Sequence, residues 1–401
     1  MKKKVLYILA PNDRFNYGDL LFPYVLKYYI GKEFDKIRYI STTQSDLSNL
    51  GGIPTEAYEE LYDANNDESD NYLIVAGGES LFSDWSVIMA FVDSKYHCCQ
   101  SLLRKLFFFK KSIGRRIYKS YVKLTLPTKT KYPFTIGKNE LLNFKGIYYN
   151  SVGGIGLDSL SGAKLLQKKD ERNVLNSVDY LSVRDKYTCK ALISANIENT
   201  LVADSAIMMS EVFTDEILEN NLSINNKLLD KPYLFFQGNK LYLEKESSKI
   251  AEELFKLQQE TNLKICLCPI GTALGHEDIE GLNSLIPFLN QKGVSYIMID
   301  SPNLFDIMWL IKYSKLYIGT SLHGIITSMS FRVPYVGYCK RKLMTYIYTW
   351  DEEVNFTDSV EGLYLTSINS LRTQTNLSKL QLQKATVSKS FKHMVNLINE
   401  H

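Results

Sequence analysis

The sequence is poor in cysteine, and its six thiols, at 98, 99, 189, 266, 268 and 339, form no spaced framework. A fold stapled by disulfides is therefore excluded, and a reducing compartment suits the chain. Cys266 and Cys268 alternate onto one face of an apolar run. Two thiols without a second pair make a poor zinc site, so packing is their expected role and no metal is expected. Long apolar runs are missing as well: no stretch reaches the roughly 18 residues that a membrane span needs. The run after Lys2, Lys3 and Lys4 stops at Pro11 after six residues, short for a secretory core and right for a buried strand. The expectation is a cytoplasmic protein, neither secreted nor integral to a membrane.

A third absence is local. Between 94 and 139 there is no acidic residue and there are twelve basic ones; taking these from the 47 Lys and Arg leaves 35 against 44 Asp and Glu. The net charge of +3 thus hides a basic segment on an acidic body. Leu106, Phe107, Phe108, Phe109, Ile113 and Ile117 interleave with Lys110, Lys111, Arg115 and Arg116. That pattern suits an amphipathic helix on an anionic membrane surface, peripheral to the inner face. The plain alternative is a solvated helical insertion that packs its aromatics on its own domain. Nothing else in the chain suggests a nucleic-acid module.

What is present reads as α/β. Hydrophobic residues at 45% and charged ones at 23% are those of a globular protein, and 401 residues suggest two domains. Apolar runs over 5–10, 36–41, 72–76, 146–152, 180–183 and 199–203 alternate with amphipathic stretches. After a polar linker at 211–231 the alternation restarts, with strands over 233–237, 264–269 and 295–300 and helices over 245–260, 277–292 and 303–313. Strands alternating with helices predict parallel, doubly wound sheets. We expect a first domain over 1–210, a second over 232–375, and a terminal helix over 376–401 that packs back.

The chemistry-bearing residues sit where strands end. Tyr317-Ile318-Gly319-Thr320-Ser321-Leu322-His323-Gly324 reads as a strand, a loop and a helix start, which puts His323 among free amide groups. Asn16-Tyr17-Gly18-Asp19, Gly77-Gly78-Glu79 and Gly153-Gly154 follow earlier strands, where glycine lets amides approach an anion. Asp19 is either a ligand or a simple helix cap. Arg184-Asp185 ends another strand: Asp185 suits a cap, and Arg184 either grips an anion in a forked contact or forms an ion pair. Asp204 stands at a further strand end. Gly271, His276, Glu277 and Asp278 follow a strand of the second domain, with His276 in a polar loop, and Lys340-Arg341-Lys342 follows the strand after His323.

Taken together in order and spacing, Asn16-Tyr17-Gly18-Asp19, Gly77-Gly78, Ser151 to Gly156, Ser182-Val183-Arg184-Asp185, Asp204 and Leu322-His323-Gly324 with Val333-Pro334 resemble the polysaccharide pyruvyl transferase family. The resemblance implies two Rossmann-like domains in a glycosyltransferase-B-like arrangement. It also implies transfer of a pyruvyl group from phosphoenolpyruvate, as co-substrate and with no other cofactor, to a sugar of a lipid-pyrophosphate-linked oligosaccharide. His323, Asp19 and Asp204 would be catalytic. Arg184, Ser321, Leu322, Gly324, Lys340 and Arg341 would hold the donor, and Asn16, Gly18, Gly77, Gly78, Glu79, Gly153 and Gly154 the acceptor. Many family members carry arginine where this chain has Ser321, so a donor cation is expected from Arg341 or Arg14. The competing readings are a glycosyltransferase of the same architecture using a nucleotide sugar, and a non-catalytic glycan-binding member.

Overall fold

The computed structural model describes residues 2–64, 68–126, 130–224, 231–373 and 376–400. Parts of the expected basic segment (127–129), linker (225–230) and terminal helix (401) lie outside the described residues.

Apolar runs in the first half form β1 (Lys4–Leu9), β2 (Lys36–Ile40), β3 (Asp70–Val75), β4 (Phe144–Val152), β5 (Tyr180–Val183) and β6 (Thr200–Leu201). They pair in parallel in the order β2-β1-β3-β4-β5-β6. The second half builds β7 (Tyr233–Phe236), β8 (Lys264–Leu267), β9 (Tyr296–Met298), β10 (Leu316–Gly319), β11 (Tyr335–Tyr338) and β12 (Phe356–Thr357). Their order is β12-β11-β10-β7-β8-β9, again all parallel. Parallel pairing requires crossovers, and the intervening helices cover both faces; hence β7, β10 and β11 are buried at every position.

The expected strands are present with shifted ends. Over 199–203 only Thr200–Leu201 is strand, because the chain turns at Asp204, whose side chain caps the turn Ser205–Met208. The helix expected over 245–260 starts earlier, as Lys240–Thr261, since Asn239 caps it and non-helical angles at Glu246 are absorbed as a kink. The edge strand β12 has two residues and no periodicity to announce it.

Each sheet reverses its winding once, between β1 and β3 and between β7 and β10. At such a point the loops leaving the two strands diverge to opposite faces and open a crevice at the carboxyl ends. The two crevices are held opposite each other by a shared core. Helix Leu322–Ser330 is buried on all nine residues, as expected of a helix enclosed by protein on every side. Its Ser330 hydroxyl donates to Ile207 O at 2.8 Å, and Thr327 Oγ1 meets the Tyr17 hydroxyl at 2.8 Å. Backbone bonds add to this: Tyr17 N donates to Ile270 O at 3.1 Å and Thr272 N to Phe15 O at 3.2 Å.

The long helix Leu377–Glu400 returns to the first sheet. Ala203 N donates to Thr386 Oγ1 at 3.1 Å, the Tyr180 hydroxyl to Ser390 Oγ at 3.1 Å, and Lys4 Nζ to Ile398 O at 3.3 Å. Phe391, 3% exposed, stacks on Tyr29 with ring centres 5.1 Å apart. Truncating it leaves a cavity between that helix and the first half. Phe391→Ala should therefore cost about 3–5 kcal/mol, read as a lower urea midpoint with the slope unchanged.

Candidate active site

The two crevices meet in a cleft of about 460 Å³. Arg14, Asn16, Asp19, Glu79 and Arg184 line it from the first half, and Gln237, His276, Asp278, Ser321, Leu322, His323, Lys340 and Lys342 from the second.

His323 occupies the first turn of helix Leu322–Ser330, which Ser321 caps by accepting from Gly324 N at 3.4 Å. The imidazole rests on the 16–19 loop: a Cβ at Gly18 would lie 1.6 Å from Nδ1, and the Phe22 ring meets the imidazole edge-on at 5.3 Å. Gly18 has an ordinary φ of −67°, so space and not backbone freedom demands glycine there. Nε2 faces Oδ2 of Asp204 at 3.6 Å and makes no hydrogen bond among the described residues. That separation is longer than a hydrogen bond, so the two groups face each other without a direct bond.

Asp204 is fully buried and accepts from Arg184 Nη1 at 2.9 Å and Ala206 N at 3.0 Å. Burial alone would raise its carboxyl; His323, Arg184 and the Ala206 amide together hold it below the ordinary carboxylate range. Arg184 uses its other arm on Glu79 at 2.9 Å. Burial works against its charge, and the two carboxylates more than restore it, so the guanidinium stays protonated. Both arms of the fork are thus taken by protein carboxylates, and a charged chain runs Glu79, Arg184, Asp204, His323. Asp185 is the cap of helix Lys186–Ser194, accepting from the amides of Tyr187 and Thr188.

Asp19 is 8% exposed and accepts from Asn16 Nδ2 at 2.7 Å. The expected glycines back this wall and do not line it. A Cβ at Gly153 would come within 2.7 Å of Glu79 and 2.9 Å of Arg184, and one at Gly77 within 2.5 Å of the Phe22 ring. Gly78, with φ 76°, lies over Asp19, and Gly154 packs on Leu157. Gly324 likewise packs on Tyr317.

The opposite wall is basic. Lys340 stands at the N-cap of helix Arg341–Trp350 and Lys342 in its first turn, while Arg341 between them pairs with Asp158 and is not among the cleft residues. Arg14 pairs with Asp13 at 2.9 Å and also lines the cleft. Burial and then repulsion from Arg184 lower the Lys342 ammonium; burial and then Lys342 lower Lys340. His276 is pushed down to about 4, by burial first, then by Lys342, against a pull from Asp19, then by Arg14 and Lys340. Asp278 is raised to about 6 by burial, against hydrogen bonds from Gln237 and the amides of Ile270 and Gly271. The sequence marks His276 only as part of a polar loop and gives Gln237 no role. A polar residue closing an apolar strand at the reversal point was the available signal for Gln237.

Residues 154–338 match the family model described as Polysaccharide pyruvyl transferase. No curated protein matches the sequence significantly. Among solved structures the chain is similar to UDP-GlcNAc 2-epimerase of Methanocaldococcus jannaschii, at 13% identity and TM-score 0.54 over 99% of this chain and 100% of that one. It is similar to the Neisseria meningitidis UDP-GlcNAc 2-epimerase at 9% identity and TM-score 0.55, over 99% and 100% of the two chains. At these identities the likeness is one of fold, and it places the two parallel sheets in the glycosyltransferase-B-like arrangement.

The two displaced titrations oppose each other. Unfolded His276 takes a proton near 6.5 and the folded residue only near 4, so stability is lost as pH falls through that window. Unfolded Asp278 ionises near 3.8 and the folded residue near 6, so stability is lost as pH rises through its own window. His276→Gln should flatten the acid-side loss seen in melting temperature against pH, and Asp278→Asn should steepen it.

Proposed function

We propose, from the match of residues 154–338 to the polysaccharide pyruvyl transferase model, that the chain moves a pyruvyl group from phosphoenolpyruvate to a sugar of a surface-polysaccharide precursor. The acceptor in this reading is a lipid-linked saccharide. The observation that carries the donor is the basic wall of Lys340, Lys342, Arg14 and His276, whose first two cations are held down by burial and by neighbouring positive charge. A ligand bearing a phosphate and a carboxylate would relieve that repulsion and supply the missing counter-charge. Lys342 and Arg14 then stand in for the arginine that the family resemblance places at Ser321, and the helix start behind Ser321 offers further amides.

The reaction begins with a proton delivered to the donor's methylene carbon, leaving the phosphate-bearing carbon electron-poor. A sugar hydroxyl bonds to that carbon and gives up its proton. The carbon–oxygen bond to phosphate then breaks, phosphate keeping the electron pair, and a second hydroxyl closes the ketal as it loses its own proton. His323 is the proton-transfer group, with Asp204 holding its positive charge, and Asp19, oriented by Asn16, takes a hydroxyl proton. Gly18 gives the imidazole its place.

Incubating the protein with phosphoenolpyruvate and a lipid-linked saccharide should release phosphate and add mass to the acceptor; neither event occurring would refute the reading. If nucleotide sugars raise the melting temperature and phosphoenolpyruvate does not, glycosyl transfer is the better description. His323→Ala and Asp204→Asn should lower kcat about 100- to 10,000-fold while leaving the affinity for phosphoenolpyruvate intact. Lys342→Met should do the reverse, raising the donor KM on the order of tenfold to a hundredfold with a smaller effect on kcat.

A further inference from the structure

The segment at 94–125 folds as a helical hairpin: helix Ser94–Leu106, a tight turn at Phe108–Lys110, and helix Lys111–Thr125. It lies on helix Trp85–Val92, to whose capping residue Asp84 it is tied by Lys119 at 2.9 Å. Helix Lys111–Thr125 buries only Gly114, Tyr118 and Val122, a single narrow stripe. A second apolar stripe beside it, Ile113, Ile117, Tyr121 and Leu124, faces solvent, with Leu124 86% exposed. At the hairpin tip Phe108 and Phe109 are 60% and 96% exposed. Apolar surface of this extent on a folded domain marks a contact site.

On the other side of the buried stripe stand Lys111, Arg115 and Lys119. Together with Arg104, Leu103 and Phe108 they wall a cavity of about 550 Å³ between the hairpin helices. Arg104, Lys111 and Arg115 form no ion pair among the described residues, unlike Lys119. Val87 lines both this cavity and the central cleft. No described helix is long and apolar enough to cross a membrane.

We propose that the hairpin docks on an anionic bilayer, its exposed aromatic and aliphatic side chains entering the interface, and that the cavity holds the phosphate of a lipid in that bilayer. Unpaired cations beside an apolar wall fit a phosphate carried on a hydrocarbon chain: the charge needs Arg104, Lys111 and Arg115, and the chain needs an exit along apolar surface. A lipid phosphate held there would present its headgroup substituent across Val87 to the cleft. That last step rests on the reading of the cleft as a saccharide acceptor site; the docking does not.

The test is co-sedimentation of the full chain with phosphatidylcholine vesicles, alone, with phosphatidylglycerol, or with a polyprenyl diphosphate. Binding is expected only to the two anionic compositions. The triple variant Arg104→Glu, Lys111→Glu, Arg115→Glu should weaken it on the order of 100-fold. Phe108→Ser with Phe109→Ser should weaken it too, and this second pair, at the exposed hairpin tip, guards against a folding defect in the first. Both variants should keep the parent's melting temperature and its stabilisation by phosphoenolpyruvate. Equal binding by parent and variants, or equal binding to neutral and anionic vesicles, overturns the proposal. So does thermal stabilisation by free inorganic phosphate that the triple variant loses while no vesicle sediments the parent, since the cavity would then serve a soluble anion. Sedimentation is read without turnover, so its failure and failure of the proposed reaction are separate results.

Discussion

Helix Leu322–Ser330 is enclosed by protein on every side, and the distance between the two sheets follows from its burial. It springs from β10 of the second sheet, yet Thr327 and Ser330 bond to Tyr17 and Ile207 of the first. A small residue also seats the helix closely on its own strand: a Cβ at Gly324 would stand 2.1 Å from the Tyr317 hydroxyl of β10. With the helix so clamped, its first turn, and His323 with it, has little freedom to move. A side chain on a rigid element holds its geometry more closely than one on a loop.

Around that fixed imidazole the charges are segregated. One wall carries carboxylates that are paired and satisfied, with Arg184 locked between Glu79 and Asp204. The other carries Lys340 and Lys342, whose charged forms are disfavoured by burial first, then by Arg184 at Lys342 and by Lys342 at Lys340. The charges of the first wall are satisfied within it, whereas Lys340 and Lys342 form no ion pair among the described residues. Such a division is what the proposed reaction would use, with the anion on one element and the imidazole on another.

The hairpin adds a third charged region that neither wall depends on. Its cations sit beside exposed apolar stripes, whereas those of the cleft sit behind buried polar groups.

The two sheets, their parallel pairing and most strand positions were legible in the sequence, because alternation of apolar runs with amphipathic stretches is a local property. So was the placement of His323 at a helix start, and of Asp185 as a cap, since both follow from residues a few positions apart. Long-range packing decided the rest. Asp204 reads in sequence only as a carboxylate at a strand end, catalytic by the resemblance, and in the fold is the buried partner of His323 and Arg184; Arg341 reads as a donor cation and pairs with Asp158, while its neighbour Lys342 enters the cleft. Successive residues of a helix, here the first turn of Arg341–Trp350, point to different sides, and only the position of the facing half determines which side is the cleft. The sequence by itself determined which strand ends carry chemistry; which of those groups neutralise one another and which remain free was decided by tertiary structure, because a charge's partner depends on distance in space and not along the chain.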